Sequence, residues 1–144
     1  MNKETFENRV LASLSHVSAI IYTMGLIVPI VIWVTQKDKS KYVRFQALQA
    51  IFFQLSMIGL LFVGMILYMG SFVIMMVVGV LGSSQTPANS AMPVLFLIPF
   101  GTFFLLMIAF LLLILYGIYG AVSTFQGRDF EYIILGPRVR KSLD

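Results

Sequence analysis

Cysteine is absent from the 144 residues, histidine occurs once, and only six residues are acidic. The first absence rules out disulfides, thiolate metal sites and a cysteine nucleophile. A lone His16 cannot build H-E-x-x-H, and no phosphate-cradling G-x-x-x-x-G-K-[ST] occurs. The acids Glu4, Glu7, Asp38, Asp129, Glu131 and Asp144 lie in the tails or one loop. They form no cluster of the kind a metal ion needs. No catalytic, cofactor or metal site is expected, and an enzyme is disfavoured.

Charge is the larger shortage. Soluble domains carry about 25% charged residues; here the share is 11%, against 59% hydrophobic. Residues 10–36 contain no Asp, Glu, Lys or Arg, and neither do residues 45–127. A membrane-crossing helix needs about 20 predominantly apolar residues, so both runs are long enough. The first run also holds Ser13, His16 and Ser18 and ends in Trp33 with no A-x-A site, unlike a secretory signal peptide. The expected fold is an all-α integral membrane protein, a three-helix transmembrane bundle in one domain spanning 1–144. Its helices are expected at about 10–35, 43–82 and 93–125, with a cationic loop at 36–44 and a C-terminal tail at 126–144. Pro29 and Pro99 lie inside apolar runs, where kinks are expected; Pro93 suits a helix start.

What charge there is sits beside the spans. The loop carries Lys37, Lys39, Lys41 and Arg44, and the tail Arg128, Arg138, Arg140 and Lys141. Cytoplasmic segments carry the Lys/Arg excess, so loop and tail belong on the cytoplasmic face of a multi-pass cell-membrane protein, here a bacterial inner membrane. That parity requires two spans between them. The N-terminus then lies outside if helix 1 crosses, or inside if Gly25 breaks helix 1 into a re-entrant hairpin. The net charge of +4 suits anionic lipid headgroups at the loop and gives no signal for nucleic acid. Asp129 and Glu131 are candidates to fold the tail against Lys37–Arg44.

Helix 2 is overlong. Forty residues reach about 60 Å against a hydrocarbon core of about 30 Å. Either it breaks near Gly70, with residues 71–82 in the interface, or a helix 2–helix 3 hairpin projects beyond the bilayer. In the second case Phe72, Met75, Met76, Val80 and Phe96 form an apolar, partner-facing surface.

Polar residues inside the apolar runs are few. His16 shares one helical face with Ala12, Ser13, Ala19 and Thr23, and Gln46, Gln49 and Gln54 share another with Ser56. Both faces read as interhelical hydrogen bonding; the competing reading of the glutamines is the lining of a hydrophilic path. Gly117-x-x-x-Ala121 and Gly120-x-x-x-Thr124 have the spacing that lets helices approach closely. Trp33, Tyr42, Tyr116 and Tyr119 read as an aromatic belt.

The segments "SHVSAI" (15–20), "IVPIVIWVTQKDKSKYVRFQALQAIFFQL" (27–55) and "TFQGRDFEY" (124–132) resemble the small bacterial Tic-type proteins. That family of unestablished function is named for its similarity to a chloroplast inner-envelope protein-import component. Pro29, Trp33, Lys37, Asp38, Ser40, Val43, Phe45, Gln49, Ala50, Gln54, Gly127, Phe130 and Tyr132 carry the resemblance. It implies a helical membrane fold and an association with protein import. The functional expectation is a non-enzymatic accessory or assembly subunit bound to another membrane protein or complex. The alternative is a component of a protein-translocation or solute-conducting assembly.

Overall fold

The computed structural model describes residues 4–21, 25–82 and 95–143, and every regular element among them is helical. The order is α1 (Phe6–Val17), a 3₁₀ turn (Ser18–Ile20), α2 (Ile27–Gln36), α3 (Lys41–Gly82), α4 (Leu97–Phe125) and α5 (Gly136–Lys141). The chain forms two compact units. Unit 1 comprises residues 1–57 with 113–144, and unit 2 comprises residues 58–112.

The single helix expected over residues 10–35 is replaced by two short ones. Thr5 caps α1 by accepting the Asn8 N–H at 3.2 Å. Ser15 Oγ donates to Leu11 O and Ser18 Oγ to Ser15 O, back-bonds that compete with regular helix. Gly25 N–H donates to Ile21 O at 2.6 Å. A Cβ on Gly25 would collide with the carbonyls of Ser18 and Ile21, so this turn requires glycine. α1 and α2 then pack against each other. The ten residues of α2 reach only about 15 Å, short of a crossing. α-Helix is thus interrupted between Val17 and Ile27, an interval that contains Gly25.

The kinks expected at Pro29 and Pro99 are not needed. Each proline is the third residue of its helix, α2 and α4, where the N–H has no intrahelical acceptor to lose. Of the two alternatives for the overlong helix, the break near Gly70 is absent, since α3 runs 42 residues without interruption, about 63 Å. The turn at 83–91, Thr23 and Pro93 lie outside the described residues.

Among the described residues two helices are long and apolar enough to cross a membrane, α3 over Lys41–Leu81 and α4. Their most apolar windows are only 11% and 6% buried inside the protein. A soluble core helix would be mostly buried, so these two are built for an apolar surrounding.

Unit 1 has its own core. Ile32, Val43 and Ala47 are buried, with Leu11, Val28, Trp33 and Tyr42 packed around them. α4 ends in a Schellman motif: Gly127, at φ +78°, donates to Thr124 O, and the Arg128 N–H donates to Ser123 O. Phe6 lies edge-on to Phe125 at 6.3 Å. Tyr42 OH faces both Thr124 O and Arg128 O at 3.2 and 3.1 Å. The starts of α1 and α3 therefore meet the end of α4.

Candidate functional site

The polar residues of α1 and α3 converge on the C-terminal segment. Gln46 and Gln49 both donate through Nε2 to Phe130 O, at 3.0 and 3.1 Å. Gln49 Oε1 accepts the Tyr132 N–H at 2.9 Å. The Gln49 carboxamide thus meets residues 130 and 132 as a neighbouring peptide group would, accepting from one and donating to the other. Since Gln46 Nε2 is turned to Phe130 O, its Oε1 faces His16 Nε2 at 3.0 Å as acceptor. His16 therefore carries its proton on Nε2, and Nδ1 accepts from Tyr132 OH at 3.1 Å. His16, Gln46 and Gln49 are essentially fully buried, and a buried polar group unpaired would cost about 1–3 kcal/mol.

Aromatic packing closes the clamp. Tyr132 stacks on Phe53 with centroids 4.4 Å apart and planes 7° from parallel. Tyr116 and Phe130 meet the Tyr132 ring edge-on at 5.1 and 4.8 Å. Burial, with Tyr116 beside it, pushes the Tyr132 hydroxyl above the ordinary tyrosine range, so it stays a donor. Small residues of α4 make room for these rings: Gly117 faces Phe53 and Gly120 faces Phe130. Tyr116 OH accepts the Ile133 N–H.

Gln54 stands apart from the tail. Its Nε2 donates to Ser18 Oγ at 3.0 Å, tying α3 to the 3₁₀ turn. Asp129 and Glu131 do not reach the loop; both pair with Arg140 of α5 at 3.0 Å. That guanidinium lies 4.5 Å over the Phe45 ring. Tail and cationic loop still meet, because Lys41, Arg44 and Arg140 line one cleft, while Lys37 and Lys39 are exposed on the loop. Among the described residues, two buried side-chain donors lack an acceptor, Arg9 Nε and Trp33 Nε1.

In unit 2, Phe72 and Met75 are half-buried and Met76, Val80 and Phe96 are exposed. An apolar gap of about 380 Å³ separates its two helices, lined by Gly64, Tyr68, Phe103 and Leu106 among others. Among the described residues no three His, Asp or Glu side chains are placed to hold a metal.

Sequence reading located three glutamines and His16 but missed their partner. The signal was present in Phe130 and Tyr132, two aromatics at alternate positions of the otherwise polar stretch 126–132, both buried while Glu131 between them is not.

An all-helical chain with two apolar helices exposed over most of their length, tied together by a buried polar clamp, is a membrane protein by class. The chain belongs to the MamF/MmsF family, the magnetosome magnetite crystal formation protein family, whose model matches residues 7–139. No curated protein and no solved structure matches it. The family match corrects the Tic-type resemblance, which rested on the loop and tail motifs and left residues 60–107 unaccounted for. The matching family takes in that hairpin as well, and the protein-import association falls with the label. Membership makes the chain a small magnetosome membrane protein of a family involved in magnetite crystal formation.

Proposed function

We propose that this chain is a non-enzymatic accessory subunit of the magnetosome membrane. Unit 1 anchors it, and the apolar hairpin of unit 2 packs against another membrane protein where magnetite forms. The family match over residues 7–139 carries the reading. The exposed Met65, Ile66, Met69, Val73 and Met76 support the hairpin's role, since large exposed apolar surfaces mark contact with lipid or a partner. A conducting role has less support: the carboxamides of Gln46, Gln49 and Gln54 are all engaged by protein partners.

The basic residues favour one orientation. With the starts of α1 and α3 beside the end of α4, Arg9, Lys41, Arg44, Arg128 and the α5 cations belong to one face, the cytoplasmic one by the Lys/Arg rule. α1 and α2 then form a re-entrant pair, and α3 and α4 make the crossings. The chain has no cysteine, so single cysteines at Asn2 and Ser84 report sidedness cleanly. Asn2 should be protected from an impermeant maleimide on the non-cytoplasmic side, and Ser84 labelled there.

Photo-crosslinkers at Met65 and Met76, in magnetosome membranes, test the subunit role. Protein adducts at both positions, absent from a control at Ile134, are expected. Lipid adducts alone would sink the partner reading, and unchanged magnetite crystals after deletion of the chain would sink the family role.

A further inference from the structure

The first turn of α3 and the C-terminal segment frame a cleft of about 230 Å³, lined by Lys41, Arg44, Phe45, Arg140 and Leu143. Its charges are unevenly paired. Arg140 is bound to Asp129 and Glu131 and stands over Phe45, so it braces the wall. Among the described residues Lys41 and Arg44 have no carboxylate partner.

The surface below those two cations is apolar. At 100° per residue, Lys41, Arg44, Leu48, Phe52 and Leu55 share one face of α3. Phe52 and Leu55 are 45% and 47% exposed. Two unpaired cations at the head of an exposed apolar stripe match a molecule with an anionic head and hydrocarbon tails. A free anion would use the head of this face and leave the stripe bare.

We propose that this cleft binds the phosphate of an anionic glycerophospholipid, with Lys41 and Arg44 on the phosphate and the acyl chains along Phe52 and Leu55. The site is completed by the tail: the clamp on Phe130 and Tyr132 holds the segment that leads to α5, and so places Arg140 and Leu143 against α3. The inference rests on the proposed reading that α3 crosses a bilayer, and it adds lipid selectivity to the anchor.

The test uses the full chain in nanodiscs of phosphatidylcholine with or without phosphatidylglycerol, then detergent extraction and mass spectrometry of the lipid retained. Phosphatidylglycerol should be retained in preference to phosphatidylcholine. Lys41→Gln with Arg44→Gln should lower that retention roughly thirtyfold, given the contribution of two cations at an anionic surface. Lys37→Gln with Lys39→Gln removes equal charge outside the cleft and should leave retention within about twofold. Equal losses from the two pairs would reduce the site to diffuse surface charge and overturn the proposal. Displacement of the lipid by millimolar inorganic phosphate, with ionic strength matched, would overturn it in favour of a free-anion site. Trp33 fluorescence checks that each variant is folded. Release of the chain from membranes by alkaline carbonate would defeat the membrane reading itself, whereas a carbonate-resistant chain without lipid preference would defeat only the cleft.

Discussion

The two units bury their polar groups by opposite rules. In unit 1, His16, Gln46, Gln49 and Gln54 bond across long sequence separations, to Tyr132, Phe130 and Ser18. In unit 2, Ser71 and Thr102 return their hydroxyls to carbonyls of their own helices, those of Tyr68 and Ile98. Its internal contacts are rings, such as Tyr68 against Phe72 and Phe103. Each bond between elements in unit 1 is satisfied by one arrangement and left unpaired by others. The hydroxyl bonds of Ser71 and Thr102, each within its own helix, impose no such constraint, and lipid is as apolar as the side chains around them. The contrast assigns definition to unit 1 and adaptability to unit 2, which suits an anchor joined to a contact surface.

Breaking the clamp should give the largest effect. Tyr132→Ala removes the stacked ring and the hydroxyl to His16, and should destabilise the chain by about 3–5 kcal/mol. Tyr132→Phe keeps the stack on Phe53 and should lose only about 1 kcal/mol. Unfolding in mild detergent, followed through Trp33, the one tryptophan, reads both. If Ala were as mild as Phe, the tail would be a passenger on unit 1.

Gln49→Leu comes next. It preserves bulk but strips the Tyr132 N–H of its acceptor and takes one of two donors from Phe130 O. Two buried groups left short at about 1–3 kcal/mol for a full loss suggest about 2–4 kcal/mol in the same assay. A loss below about 0.5 kcal/mol, smaller than a typical hydrogen bond, would mean that water reaches the tail backbone. Unit 1 would then be no better sealed than a loop.

Much of this is legible in the sequence. The charge-free run of 83 residues (45–127) speaks for membrane helices because ionised side chains are costly in hydrocarbon, whereas the run of 27 (10–36) holds only short helices among the described residues. Helical spacing put Gln46 and Gln49 on one face. Their partner lies more than 80 residues away, at 130–132, and periodicity carries no information about contacts at that range. Pro29 and Pro99 were misread because apolar composition is the same on either side of a helix start. Both helices begin two residues before their prolines. Residues 10–35 read as one helix, or as two broken at Gly25, because hydropathy does not weigh the serine back-bonding that ends α1. The family was misassigned for a related reason: a polar loop carries distinctive residues, whereas an apolar hairpin looks like any other.

The smallest effect sharpens the comparison most, because it asks the same substitution of both units. Gly120→Ala in unit 1 sets a methyl 2.8 Å from Phe130 Cε1. That ring is wedged among Tyr116, Tyr119 and His16 and its carbonyl is held by two glutamines, so it has nowhere to go. Overpacking of this kind costs about 1–3 kcal/mol. Gly64→Ala in unit 2 sets a methyl 3.2 Å from Leu106 Cδ2, the far end of a flexible side chain that borders the 380 Å³ gap. Leu106 can turn into that space, and alanine favours helix over glycine by about 0.5–1 kcal/mol. The expected change at Gly64 is therefore between zero and a slight gain, read by the same unfolding curve. A loss at Gly64 equal to that at Gly120 would mean that unit 2 is packed as tightly as unit 1, and the division between a defined anchor and an adaptable hairpin would fail.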